Sequence, residues 1–104
     1  MAFELDNALG GLRLDEIHSF VVLAEELHFA KAAKRLHLTT GGLSRRISHL
    51  EGALGVKLLH RTTRTVQLSP DGVRFAPAAR RIMADVTGVC EGAQATPPSL
   101  LAAS

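Results

Sequence analysis

The amino-acid sequence predicts a mainly α-helical domain, and three observations lead to this prediction. Apolar residues recur at intervals of three and four in several segments, the spacing of helices that bury one face. Hydrophobic residues make up 46% of the chain and charged residues 21%, which is typical of a globular protein. The apolar set is dominated by Leu, Ala, Val and Ile, with four Phe and no Trp or Tyr. With 104 residues, the chain can form one domain with a core but not two sizeable domains.

The first two helices are predicted between residues 14 and 36. Residues 1–11 lack periodicity and end in two glycines, so we expect a flexible N-terminal tail. The apolar stripe of the first helix consists of Ile17, Phe20, Val21, Ala24 and Leu27. The pattern is interrupted at residue 28, and a second, shorter stripe consists of Phe29, Ala32, Ala33 and Leu36.

A third helix follows a short turn at residues 37–39. Its apolar stripe consists of Leu43, Ile47, Leu50 and Leu54. Thr39 or Thr40 can cap its start by accepting a backbone N–H bond, and Gly55 suits the position just after its end. Two helices joined by so short a turn predict a helix-turn-helix geometry.

A β-hairpin and a long helix complete the predicted fold. Residues 56–60 and 65–68 are rich in apolar or β-branched residues and flank a basic, polar tip at residues 61–64. Ser69, Pro70 and Asp71 then form a strong helix start. The stripe of this helix has the spacing of a coiled-coil seam and consists of Phe75, Ala79, Ile82, Val86 and Val89. Packing of this stripe on its own domain is the alternative to a dimer seam. We predict a folded domain at residues 12–69, a linker helix at 70–92, and a linker or truncated tail at 93–104.

Basic residues are concentrated in the middle of the chain, although the net charge is only +2. Residues 31–81 contain eleven Lys and Arg but two acidic residues, whereas residues 1–30 contain one Arg and six acidic residues. A basic block of this kind indicates a polyanionic partner such as DNA. A solvated surface is the alternative.

The outer face of the third helix carries the candidate contact residues. By helical projection this face consists of Gly41, Arg45, Ser48 and Gly52, with Ser44 and His49 on the flanks and Arg46 nearer the core edge. Arg, Ser and His side chains on the second helix of a helix-turn-helix can reach base edges and phosphates in the major groove. An ordinary polar helix face is the alternative.

Several classes of function are disfavoured. Cys90 is the only cysteine, so neither an internal disulfide nor a cysteine zinc site can form, and we expect it to be a small buried residue. The five histidines never occur four residues apart, and no acid is placed to orient a base beside Ser44, Ser48 and His49. We therefore predict no enzyme activity, cofactor or metal. Neither a secretory signal nor a membrane span is recognisable, so we expect a cytoplasmic protein that does not bind membranes.

Five short motifs follow one another along the chain: F-x-x-x-A-E-E at Phe20–Glu26, F-x-x-A-A-x-x-L-H at Phe29–His37, L-S-R-x-I-x-x-L-E at Leu43–Glu51, L-G-V-x-L-L-x-R at Leu54–Arg61 and L-S-P-D-G at Leu68–Gly72. In this order they make residues 14–83 similar to the N-terminal DNA-binding region of LysR-type transcriptional regulators. The resemblance implies a winged helix-turn-helix, with three helices and a two-stranded wing, followed by a long linker helix that dimerises.

The projection and the resemblance together predict a set of DNA-contacting residues: Lys31, Thr39, Thr40, Gly41, Ser44, Arg45, Arg46, Ser48, His49, Arg61 and Arg64. The resemblance implies that Arg45 is the principal reader of a base or phosphate. It implies that Arg61 and Arg64, in the wing, reach the flanking backbone or minor groove. Lys31, at the start of the second helix, corresponds to a common phosphate contact.

Two adjacent glycines open the third helix. In the family Thr40 stands where glutamine is common, and Gly41 where proline or serine is usual. Gly41 and Gly42 would let backbone N–H groups approach a phosphate or base edge closely. The alternative is that glycine is simply tolerated in the first turn.

We therefore predict sequence-specific binding of double-stranded DNA by a homodimer formed through the linker helix. Two-fold symmetry implies a pseudo-palindromic operator. The effector-binding domain that the family carries does not fit in this chain, so we expect a fragment or a naturally truncated form. Two alternatives remain: an interaction or dimerisation module that has lost DNA binding, and a metal-responsive repressor that uses histidines and Cys90.

Overall fold

The computed structural model describes residues 11–62 and 65–95, which form helices and one small sheet. In chain order the elements are α1 (Leu14–Glu26), α2 (Phe29–Arg35), α3 (Thr40–Leu54), β1 (Leu59–Arg61), β2 (Val66–Leu68) and α4 (Pro70–Ala95). The two strands pair antiparallel. This confirms the predicted order of three helices, a two-stranded wing and a long final helix. The predicted N-terminal tail, apart from Gly11, and residues 96–104 of the predicted C-terminal tail lie outside the described residues.

The core lies where α1, α2, α3 and the first half of α4 meet. Its largest fully buried apolar side chains are Phe20, Leu23, Leu43, Ile47, Leu50 and Leu58. The Phe20 ring packs against Phe75 of α4, with centroids 5.4 Å apart and planes tilted by 43°. Each buried Leu, Ile or Phe contributes about 1.5–3 kcal/mol. The helical periodicity of the sequence thus identifies the core face of α3 correctly at Leu43, Ile47 and Leu50. In α1 it misses the fully buried Leu23 and wrongly includes Leu27, which is 42% exposed and follows the helix.

Local signals set the ends of the helices. α1 ends at Glu26, and the next residue, Leu27, adopts the left-handed conformation with φ 49°. The Nδ1 atom of His28 then caps α2 by accepting the backbone N–H of Lys31 at 3.2 Å. Thr39 caps α3 in the same way, since its Oγ1 accepts the N–H of Gly42 at 3.0 Å. Because these caps satisfy N–H groups that a helix start leaves unpaired, they fix the two turns on either side of α2.

The wing is shorter than the sequence predicts. β1 begins at Leu59, and Arg61 belongs to this strand, paired with Val66, rather than to the tip of the hairpin. The segment before it is tied to α3 instead of a neighbouring strand, because the buried carboxylate of Glu51 accepts the N–H groups of Leu58 at 2.8 Å and Leu59 at 3.3 Å. The predicted strand at residues 56–60 is therefore wrong for residues 56–58.

The last helix has two different halves. Ala79 is fully buried and Phe75 packs on α1, so both residues face the core of their own chain. The prediction that Ala79 forms part of a dimer seam is wrong, because coiled-coil spacing does not distinguish a helix's own core from a partner. Phe75 is half-buried, and its part in a seam stays a prediction. Ile82 and Val89 are exposed and Val86 is half-buried. α4 continues to residue 95, three residues beyond the predicted linker helix.

Candidate nucleic-acid interface

The outer face of α3 is exposed, as helical projection predicts. Leu43, Ile47 and Leu50 are fully buried, which directs Arg45 and Ser48 to solvent. Within the part of the chain that the structure describes, the Arg45 guanidinium makes no hydrogen bond or ion pair. An exposed guanidinium with no internal partner keeps all five N–H donors available for a ligand.

Arg61 lies next to this face rather than at the tip of the wing. Its Nη1 donates a hydrogen bond to Ser44 Oγ at 2.9 Å, and its Cζ lies 4.8 Å from the centre of the Phe29 ring. The guanidinium therefore bridges β1, α2 and α3. Arg64, the second predicted wing residue, lies outside the described residues.

Two of the predicted contact residues are directed toward α1. Arg46 donates a hydrogen bond to Ser19 Oγ at 3.3 Å, and its guanidinium lies 3.9 Å from the Asp15 carboxylate. His49 Nδ1 lies 2.8 Å from the buried carboxylate of Glu16. The structure thus gives Arg46 and His49 partners on α1, while the Arg46 side chain stays 34% exposed and that of His49 56% exposed. Their contact with DNA stays a prediction.

The acidic group at the start of α1 is itself paired. Arg13 donates a hydrogen bond to the Asp15 carboxylate at 3.1 Å. This hydrogen bond holds the pKa of Asp15 below its usual value, and the charges of Arg13 and Arg46 act in the same direction. Asp15 therefore stays ionised at neutral pH and keeps its attraction for Arg46.

The four small residues at the start of α3 have different structural environments: Thr39, Thr40, Gly41 and Gly42. Thr39 forms the helix cap, so its hydroxyl is used by the fold. A Cβ at Gly42 would lie 3.1 Å from Thr39 Oγ1, whereas a Cβ at Gly41 would meet nothing within 4 Å. Gly42 thus gives the cap room, while Gly41 and Thr40 are exposed and face a shallow depression between α3 and the wing.

Further basic groups surround the outer face of α3. Lys31 is exposed in the first turn of α2. Ser48, Lys57, His60 and Arg61 line one groove beside α3. Lys57 and His60 were not among the predicted contact residues, because they lie in the segment predicted as a strand; a charged and a polar residue within an apolar run were the available signal.

Other chemistry has little support among residues 11–62 and 65–95. No group of three or more His, Cys, Asp or Glu side chains in these ranges could hold a metal ion. Cys90 is exposed on α4, so the expectation that it is buried is wrong. No helix in the described ranges combines the length and apolarity needed to cross a membrane.

Comparison with known proteins gives a consistent family match. Residues 14–73 match the model of the bacterial regulatory helix-turn-helix proteins of the lysR family. A probable hydrogen peroxide-inducible genes activator from Streptomyces viridosporus is 44% identical over 82 residues, which are 79% of this chain and 26% of that protein. The transcriptional regulator ShiR from Corynebacterium glutamicum is 43% identical over 79 residues, which are 76% of this chain and 27% of ShiR. The match therefore spans about a quarter of the length of these relatives.

Solved structures share the fold. The BenM_DBD/catB site 1 DNA complex superposes with a TM-score of 0.75 at 34% identity, covering 80% of this chain and 93% of that one. The CbnR_DBD–DNA complex superposes with a TM-score of 0.70 at 36% identity, covering 82% of this chain and all of that one. Both of these similar chains were crystallised with DNA.

Proposed function

The chain belongs to the LysR family of bacterial regulatory helix-turn-helix proteins, a family of regulators and not of enzymes, and from this premise we propose that it binds double-stranded DNA sequence-specifically as part of a transcription regulator. The observation that carries the proposal is the exposed guanidinium of Arg45 on the outer face of α3, which makes no hydrogen bond or ion pair with the described residues. In helix-turn-helix proteins this face of the second helix enters the major groove.

We assign the contacts with DNA bases to the residues that extend from this face. Arg45 reads a guanine edge or a phosphate, and Ser48 and Thr40 contact neighbouring groups. Gly41 allows the helix start to approach the DNA closely, because there is open space where a side chain would lie.

The flanking contacts are assigned to basic residues on either side of α3. Lys31 at the start of α2 contacts a phosphate, and Arg64 in the wing reaches the flanking backbone or minor groove. Lys57 and His60 are added to this group because they line the groove beside α3 with Ser48.

The symmetric assembly is proposed from the second half of α4. Ile82, Val86 and Val89 follow one another on one side of the helix, and Val89 is 72% exposed. Pairing of these residues with those of a second copy would bury them and place two recognition helices on a pseudo-palindromic operator.

The test is selection of bound sequences from a random duplex pool at physiological salt, followed by affinity measurements on the selected duplex. We expect an inverted repeat and a linear fall of log affinity with log salt concentration. Arg45→Ala should cost about 1–3 kcal/mol of binding and relax one base position.

The matched control is Arg35→Gln. The Arg35 guanidinium forms ion pairs with Glu25 and Glu26, two residues of α1, at 2.9 Å each. Arg35 is thus directed toward α1 and not toward α3. This variant should keep the selected sequence. If no duplex is enriched and retention does not depend on salt, the interaction-module alternative is correct.

A further inference from the structure

The Arg61 side chain is restrained at both ends before any ligand is present. Its backbone belongs to β1 and pairs with Val66. Its guanidinium donates to Ser44 Oγ at 2.9 Å and lies over the Phe29 ring at 4.8 Å. These contacts come from three different elements, so the position of the guanidinium depends on the folded domain and not on one flexible loop.

This restraint does not neutralise the charge. Ser44 is a neutral acceptor and Phe29 presents an aromatic ring, and neither removes the positive charge of arginine. Among the described residues no carboxylate pairs with Arg61, and the residue is exposed. The remaining N–H groups of the Arg61 guanidinium are therefore held in place, and its positive charge is not neutralised. Both properties favour binding of an anionic or electronegative acceptor.

The neighbouring residues indicate where that acceptor would lie. Thr40, Gly41 and Ser44 of α3 line one shallow depression with Phe29 and Arg61. Ser44 directly precedes Arg45 on α3. An acceptor bound by Arg61 would thus lie beside those contacted by α3.

We infer that Ser44 is a positioning residue for Arg61: it contributes to DNA binding by holding the Arg61 guanidinium against Phe29, not by reading a base itself. This inference rests on the proposed function. The acceptor is a phosphate oxygen or a guanine edge of the DNA, two sources of the same hydrogen-bond chemistry.

The test is a double-mutant cycle on the selected duplex with Ser44→Ala, Arg61→Ala and the combined variant. We expect Ser44→Ala alone to weaken binding about tenfold, the loss of one hydrogen bond to a charged group. In the Arg61→Ala background the same change should have no effect. Phe29→Leu should show the same dependence on Arg61, and Ser44→Thr, which keeps the hydroxyl, should restore binding.

Controls separate positioning from folding and from the proposed function. Ser48→Ala, one turn further along α3, should be additive with Arg61→Ala, and thermal unfolding of each variant monitors the fold. If Ser44→Ala and Arg61→Ala are additive while the wild type binds duplex DNA, Ser44 acts independently and the inference is wrong. Absence of duplex binding by the wild type would instead overturn the proposed function and the inference with it. If Arg61→Ala changes the preferred DNA sequence, the acceptor of Arg61 is a guanine edge. If it weakens binding equally for all sequences, the acceptor is a phosphate.

Discussion

Gly72 in the first turn of α4 lies against the carbonyl group of Leu58, so closely that a Cβ at position 72 would be 2.1 Å from the Leu58 oxygen. The same carbonyl accepts the N–H of Ser69 at 2.9 Å, and Ser69 Oγ caps α4 by accepting the N–H of Gly72 at 2.9 Å. The L-S-P-D-G motif therefore combines a helix start with a close backbone approach that only glycine permits.

Gly72→Ala is expected to destabilise the domain by about 2 kcal/mol or more, since backbone and not a flexible side chain must move. Chemical denaturation followed by circular dichroism measures this change. Gly88→Ala is the matched control on the same helix, because a Cβ there meets nothing within 4 Å. It should raise stability by up to about 1 kcal/mol. Equal effects of the two substitutions would contradict the role assigned to the close approach.

Glu51→Ala should lower the free energy of unfolding by about 2–4 kcal/mol, because two backbone N–H groups would lose their buried acceptor. Glu51→Gln keeps one acceptor oxygen and should lose less. Lys57→Ala is the control: its ammonium is 3.9 Å from Glu51 and the side chain is 82% exposed, so its removal should change stability little. A large effect of Lys57→Ala would show that the ion pair helps to hold this segment. No effect of Glu51→Ala would show that neither the ion pair nor the backbone bonds hold it.

Gly41→Ala should stabilise α3 by up to about 1 kcal/mol, since alanine favours a helix and the site is open. If the backbone at Gly41 approaches DNA, the same change should weaken binding to the selected duplex. Thermal unfolding measures the change in stability, and fluorescence anisotropy measures binding to the selected duplex, both on one preparation. Gly42→Ala serves as the contrast, because its Cβ would lie 3.1 Å from Thr39 Oγ1 and this oxygen would have to shift, so we expect a smaller gain in stability than for Gly41→Ala. Unchanged or tighter DNA binding by Gly41→Ala would mean that the glycine is only tolerated.

Val89→Asp should convert a dimer into monomers, because it places a charge in the proposed seam. The side chain is 72% exposed in the single chain, so the fold of each domain should be unaffected. Sedimentation equilibrium over a range of concentrations measures the association. Thr87→Asp, on the opposite side of the exposed half of α4, should leave the assembly intact. A dimer that persists in Val89→Asp would place the contact elsewhere, and dissociation by both variants would show that the contact is not confined to the proposed face.

Periodicity was sufficient to predict the helices, the buried face of α3 and the exposure of Arg45. It was insufficient at the edges of that face. Arg46 and His49 flank the apolar stripe, and their direction depends on where Asp15 and Glu16 of α1 lie in space, which no local pattern contains.

The same limit explains the error in α4. Ala79 and Val89 belong to one regular stripe, yet one is fully buried and the other exposed. The stripe shows only that each residue is apolar. Whether a residue of the stripe is buried depends on whether the body of the domain reaches that part of the helix. The Ser44–Arg61 contact is likewise tertiary, since it joins residues 17 positions apart on different elements.

The length of α4 has a geometric consequence. Its 26 residues span about 39 Å at the usual rise of 1.5 Å per residue, compared with about 34 Å for one turn of duplex DNA. The first half packs on the body of the domain, and residues from Met83 to Glu91 in the second half line a groove with α1. If two copies pair through this half, as proposed, the length of the helix limits the distance between their two α3 helices.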